Sequence, residues 1–203
     1  MEALQNLLAL SLGAGWASGI NLYATVLMLG LLELGGDVTL PADLEILTHP
    51  LILLIASILY FIEFFADKIP GIDTLWDSIQ TFIRIPAGAL LAGHVFGDWG
   101  LMTEAVATLV GGGLAASSHA IKAGSRIMIN TSPEPFTNWM ASIGEDFAVI
   151  TGLWTALMYP ELFLLLLLLV MIIMIWLLPK LAKAIIDLGL TLKRLIYSRF
   201  EKT

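Results

Sequence analysis

The sequence predicts an all-α integral membrane protein of about six transmembrane helices, with a C-terminal amphipathic helix in the cytoplasm. Three observations carry that expectation. Only 13% of the 203 residues are charged and 58% are hydrophobic, where a soluble domain has about 25% charged. Mean hydropathy is +0.89, a surplus of apolar side chains that a 22.0 kDa globule in water could not bury, so lipid must solvate part of the surface. The apolar residues also fall in uninterrupted runs of membrane-spanning length.

Residues 3 to 32 contain no formal charge, and a helix needs only about 20 apolar residues to cross the hydrocarbon core. The first span is placed at 5–32. The start carries Glu2 and no Lys or Arg before a long apolar run, which is not the pattern of a cleaved leader. Further spans are expected at 50–66, 78–97, 103–121, 139–159 and 161–178. The second should end at Lys68-Ile69-Pro70-Gly71 and the fourth at Asn130-Thr131-Ser132-Pro133-Glu134-Pro135, because Pro lacks an amide proton and pushes its predecessor out of the helical region. These bounds divide the chain into a membrane domain, 1–179, and a cytoplasmic tail, 180–203. In the tail Leu181, Ile185, Leu188, Leu192 and Leu195 repeat at helical spacing, with Lys180, Lys183 and Arg194 on other faces. Such a helix suits an anionic lipid surface or a short homo-oligomeric seam. Pro179 is expected to separate it from the sixth span.

Cytoplasmic loops hold the excess of positive charge. Lys68, Lys122, Arg126 and the six bases from Lys180 to Lys202 all fall inside if both termini are cytoplasmic, whereas the outer loops hold Glu33, Asp37, Asp43, Glu45, Asp98 and Glu104. Two weak internal echoes, Lys68 to Gly88 against Lys122 to Gly152 and Gly13-Ala14-Gly15 against Gly111-Gly112-Gly113, leave room for pseudo-repeats or re-entrant segments. The absence of Cys excludes a disulfide scaffold, no spacing suggests a metal site or a bound cofactor, and no basic patch outside the tail suits nucleic acid.

Each ionisable side chain inside the bilayer costs about 2.5–3.5 kcal/mol on insertion scales, so each is a candidate site residue with a partner to name. Glu63 and Asp67 are four apart in the second span, and Asp77 and Arg84 lie two turns apart in the third. Asp67 and Asp77 read as interface residues. Glu145 and Asp146 enter the fifth span to about the depth of Arg84, and adjacent positions point about 100° apart, so one can pair with Arg84 while the other lines a cavity. His119, Lys122 and Arg126 form a basic stripe descending to the cytoplasmic interface, readable as snorkelling anchors or as an anion site completed by Ser132. His94 and Asp98 are four apart near the outer end. Ser11, Gly15 and Gly19 make a small-residue face for close helix packing. The alternative is a first span opened near Gly13-Ala14-Gly15 or at Ser18-Gly19-Ile20-Asn21, with Asn21 in the site.

The strings Ala17-Ser18-Gly19-Ile20-Asn21, Phe65-Ala66-Asp67-Lys68-Ile69-Pro70-Gly71, Phe82-Ile83-Arg84-Ile85-Pro86-Ala87-Gly88, His119-Ala120-Ile121-Lys122-Ala123-Gly124-Ser125-Arg126 and Glu145-Asp146 resemble a family of bacterial integral membrane proteins catalogued as a domain of unknown function. The resemblance covers nearly the whole chain. It implies a bacterial inner-membrane protein and transfers no activity. One departure is Ile20-Asn21, where relatives more often carry Leu-Arg.

The residues themselves lead to a small transporter or channel for an ion or polar solute, with a polar centre of Asn21, Glu63, Arg84, Glu145 and Asp146 and an inner vestibule of His119, Lys122 and Arg126. A non-transporting adaptor is the alternative. A lipid-modifying enzyme using His119, Ser132 and Glu134 has no motif behind it, and an enzyme is not expected.

Overall fold

The computed structural model describes residues 2–131 and 135–200. Six α-helices dominate it: α1 (Glu2–Gly35), α2 (Pro50–Ala66), α3 (Ile72–His94), α4 (Leu101–Ile129), α5 (Pro135–Met158) and α6 (Pro160–Phe200). Short 3-10 turns occupy Ala42–Thr48 and Gly97–Trp99, and no strand occurs among the described residues. Each helix overlays one expected span. The ends follow local chemistry. Pro50 stands at the first position of α2, where its missing N–H costs nothing, and His49 Nδ1 accepts the Leu51 N–H at 3.2 Å. Gly71 and Gly100, with φ of 85° and 89°, hold the turns that open α3 and α4.

α1 corrects the expected topology. A straight helix of its 34 residues would be about 50 Å long. Yet Leu7 and Leu10, near its start, pack in one apolar cluster with Leu40 and Leu44, beyond its end. Asn6 and Asp37 likewise line one cavity, with Trp99 and Met158. The chain therefore doubles back, and it does so at Asn21, whose φ of −147° and ψ of 97° are extended rather than helical. The first limb descends antiparallel to α5: Gly13 faces Ala156, Trp16 faces Gly152, and Asn21 meets Asp146. The second limb climbs beside α2, where Gly30 faces Leu47 and Leu53. Residues 5–32 thus form a helical hairpin rather than one straight helix, and the start of α1 lies with the Asp98 loop rather than with Lys68.

α1 packs on all five other helices, and α3 packs closely along α4. Small residues permit this. A Cβ on Gly15 would sit 2.8 Å from the Gly111 Cα, and one on Gly88 would sit 2.7 Å from the Ala115 Cβ. Hydroxyls then cross between helices: Ser11 Oγ donates to the Ala92 carbonyl at 2.8 Å, and Ser118 Oγ to the Trp16 carbonyl at 2.9 Å. The predicted small-residue face is a packing surface, as expected.

The α2–α3 and α4–α5 connections meet at one end of the bundle. Trp139 Nε1 donates to the Lys68 carbonyl at 3.2 Å, and Asn130 Nδ2 to Asp73 Oδ1 at 2.8 Å. At the opposite end His94 lies 3.9 Å from both Asp43 and Glu104. Asp98, four residues on, lines the neighbouring cavity. α6 starts at that end and passes α4 where Leu181 and Ile185 cover Gly124. It continues as one helix through Pro179, so the expected break between membrane domain and tail does not occur. Leu192, Leu195 and Lys202 of the expected tail have side chains outside the described residues.

Polarity is inverted relative to a water-soluble fold. Phe82 is 82% exposed and Leu101 83%, whereas Arg84, Arg126, Glu63, Asp73 and Asp77 are 0% exposed. Among the described residues two helices are long and apolar enough to span a membrane, Glu2–Gly35 and the stretch Pro160–Thr191 of α6, and the bent pair Ala42–Thr48 with Pro50–Ala66 would make a third.

Candidate functional site

The site is built around the turn in α1. A helix interrupted in the middle of a bundle leaves carbonyls without partners on one side and amides without partners on the other. Here both sets find side chains. Lys122 Nζ donates to the Ile20 carbonyl at 3.0 Å, a cation placed on the negative end of the first limb. Asn21 Oδ1 accepts the Ala24 amide at 2.9 Å and so caps the second limb, while Asn21 Nδ2 donates to Asp146 Oδ1 at 2.9 Å. The opening expected near Ser18-Gly19-Ile20-Asn21 falls at Asn21, and that residue joins the site.

An ionic chain extends from this turn through α2, α3, α4 and α5. Arg84 lies 2.7 Å from Glu63 and 3.0 Å from Asp77. Lys122 Nζ donates to Glu63 Oε1 at 3.0 Å and to Asp67 Oδ2 at 2.8 Å. With Ile20 this accounts for all three protons of its ammonium group. Arg126 Nη2 pairs with Glu145 at 2.5 Å, and its Nη1 donates to the carbonyls of Asp67 and Asn138 at 3.0 Å each. His119 closes the chain. Thr81 Oγ1 gives its proton to the Asp77 carbonyl, so His119 Nε2 is the donor in the 2.7 Å contact with Thr81. Its Nδ1 is then free to accept from Arg84 Nη1 at 3.3 Å.

All eight candidate residues, Asn21, Glu63, Arg84, Glu145, Asp146, His119, Lys122 and Arg126, thus meet in one place, but three expectations about them need correction. Arg84 does not pair with Glu145 or Asp146. α3 packs on α2 and not comparably on α5, so the carboxylates nearest Arg84 are Glu63 of α2 and its own Asp77. Asp67 and Asp77 are buried ion-pair members rather than interface markers. The stripe His119, Lys122, Arg126 is equally buried; its cations are held by carboxylates and its imidazole by Thr81 and Arg84, so it is neither a snorkelling anchor nor an open anion vestibule. Ser132 and Glu134 lie outside the described residues.

Three features escaped the sequence reading. Gln80 exchanges hydrogen bonds with the Tyr23 hydroxyl, Asn130 joins Asp73 to Asn138, and Lys68 Nζ reaches Ser142 Oγ at 3.3 Å. A signal for the first two was present. Asp73, Asp77, Gln80 and Arg84 repeat at four, three, four along α3, a polar stripe at the spacing that ordinarily marks an apolar core face.

The balance of charge sets the chemistry. Four cations, Lys68, Arg84, Lys122 and Arg126, stand among five carboxylates, Glu63, Asp67, Asp77, Glu145 and Asp146; Lys68 lies within electrostatic reach of Asp146 and Asp67 while its ammonium group donates to Phe64 and Ser142. Glu63 Oε2, Asp67 Oδ1, Asp77 Oδ2 and Asp146 Oδ2 are buried and accept no hydrogen bond from the described residues. A cluster with surplus carboxylate in low dielectric favours an added proton or cation. No three His, Asp or Glu side chains converge on a metal-binding geometry among the described residues.

Comparison with curated proteins and with solved structures returns no match. Residues 8–180, which include every member of the ionic chain, match the family model described as a domain of unknown function, DUF4126, and the chain belongs to that family.

Proposed function

We propose that this chain is a small multipass transporter of the bacterial inner membrane that moves a proton or other monovalent cation through the Asn21 turn. The carrying observation is the cluster in which five carboxylates outnumber four cations around an interrupted helix. Interrupted helices that present backbone ends and ionisable groups at mid-depth suit solute passage, because the freed groups can exchange partners with a moving ion. The inverted polarity of the surface supports a lipid environment. In this reading α2 to α6 cross the bilayer and α1 is re-entrant from the outer side. The Lys68 end faces the cytoplasm, since Lys68, Lys122, Arg126 and the bases of α6 lie toward it. The part of α6 beyond Pro179 meets anionic lipid at the inner face.

Topology is tested by single-cysteine labelling, clean here because the chain has no Cys. Glu2→Cys and Asp37→Cys should both react with an impermeant maleimide added outside, and Lys68→Cys should not. Labelling of Glu2→Cys and Asp37→Cys from opposite sides would overturn the hairpin.

Function is tested by flux into proteoliposomes under imposed pH and Na⁺ or K⁺ gradients. Asp146→Asn and Glu145→Gln should each slow wild-type flux by at least about tenfold, which corresponds to about 1.4 kcal/mol in a barrier. Folded variants with unchanged flux, or a silent wild type, would remove the proposal. The extension of α6 past the bundle supports a second reading, an adaptor that binds a partner. Deleting residues 186–203 would then abolish capture of that partner and leave flux unaltered.

A further inference from the structure

We infer that the open cleft lined by α1, α4, α5 and α6 is a binding site for a lipophilic organic cation, held at its charged end by Glu145. The cavity measures about 460 Å³, and its walls are Trp16, Ile20, Met140, Met174 and other apolar side chains, with Lys122 and Glu145 at one end. That volume lies within the range of about 300–1,000 Å³ typical of sites for drug-sized ligands, and the lining has the same character: apolar walls and few polar groups.

The sign of the ligand follows from which charged group on the cavity wall still has a free atom. An anionic headgroup would need Lys122 or Arg126. All three Lys122 protons are committed to Ile20, Glu63 and Asp67; Arg126 bonds Glu145 and the carbonyls of Asp67 and Asn138, its unpartnered Nε is buried and the residue does not line the cavity, which leaves the neutral Ser125 hydroxyl as a donor on the wall. Glu145 differs. Its Oε2 is held by Arg126, but Oε1 takes part in no hydrogen bond among the described residues, and the side chain is 19% exposed toward the cavity when its ionic neighbours are 0–4% exposed. A cation arriving there would also offset the surplus of carboxylate behind it. Trp16 and two methionines add polarisable surface suited to a diffuse positive charge. A second cavity, sharing Trp16, Ala148 and Val170 and lined further by Phe163 and Leu167, continues the apolar surface along α5 and α6 and gives a bulky body room.

The inference concerns equilibrium binding and is separable from the transport reading. A protein that binds without moving ions, and one that moves ions without binding, give different pairs of results. The probes are tetraphenylphosphonium and its size-matched anion tetraphenylborate, titrated calorimetrically into the full-length protein in a non-ionic detergent. Phosphonium should bind saturably and the borate should not. Glu145→Gln should weaken binding by at least about tenfold, the factor that corresponds to about 1.4 kcal/mol. Gly144→Phe is the steric test. Gly144 lines the cavity and a Cβ there meets no atom within 4 Å, so the ring fills the site without disturbing the ion pairs. It should abolish phosphonium binding in a protein that melts like wild type, and it decides the matter if Glu145→Gln fails to fold. Equal binding of both probes, or phosphonium binding indifferent to Gly144→Phe, would overturn the inference and leave detergent partition or lipid filling as the account of the cavity.

Discussion

Arg84→Ala is expected to destabilise the protein by about 3–5 kcal/mol, the cost of breaking a buried ion pair from one side. In a protein of this size that corresponds to a drop in Tm of about 10 °C, measurable by thermal unfolding in detergent. The magnitude follows from what is left behind. Arg84 is wholly buried, 2.7 Å from Glu63 and 3.0 Å from Asp77. Without it Glu63 keeps only Lys122, and Asp77 keeps only a Lys122 contact at 3.9 Å. Arg84→Lys should recover part of the loss, because an ammonium group restores the charge but cannot fork between two carboxylates. Arg84→Ala combined with Asp77→Asn should also recover part, since the stranded charge is removed along with its partner. An Arg84→Ala protein with wild-type Tm would show that the cluster holds less charge than the geometry implies.

Gly15→Leu is expected to prevent formation of a stable, monodisperse protein. A Cβ at this position lies 2.8 Å from the Gly111 Cα and 2.9 Å from the Gly111 carbonyl oxygen. Both are backbone atoms, so no rotamer change in the neighbour relieves the overlap, and the cost should exceed the usual range of about 1–3 kcal/mol for overpacking. The control lies in the opposing helix. A Cβ added at Gly113, two residues beyond Gly111, would meet no atom within 4 Å, so Gly113→Leu should elute and melt like wild type. Size-exclusion profiles of the two variants separate the predictions. Equal behaviour of both would mean that the approach of α1 to α4 is looser than these distances.

The helices were legible because composition and run length are properties of the chain alone. α2 has the predicted bounds 50–66, and the other five helices overlap their expected spans. Pro70 and Gly71 stop α2, as their chemistry dictates, but Pro86 and Pro179 lie within continuous helices. Proline removes one amide hydrogen bond in every context; whether the helix then ends depends on the residues beside it. Gly71 supplies a positive φ after Pro70, and nothing comparable follows Pro86 or Pro179.

The site was legible as a set of residues and not as a set of pairs. A charge within an apolar run is conspicuous in any register, which is why Asn21, Glu63, Arg84, His119, Lys122, Arg126, Glu145 and Asp146 stood out together. Their partners depend on which helices are neighbours. Arg84 faces Glu63 because α3 packs on α2 and not comparably on α5, and Glu145 faces Arg126 because α5 meets the end of α4 at Asn138.

By itself, then, the amino-acid sequence determined the all-helical class, the approximate placement of the apolar helical stretches, and the identity of the polar residues that must be compensated. Only the tertiary structure decided the direction of the chain after residue 20 and the wiring of the charges. Hydropathy measures how long an apolar run is and is blind to a reversal within it, and one extended residue, Asn21, is enough to turn a helix back. What holds that turn is supplied from far away in sequence, by Lys122 on the Ile20 carbonyl and Asp146 on the Asn21 amide.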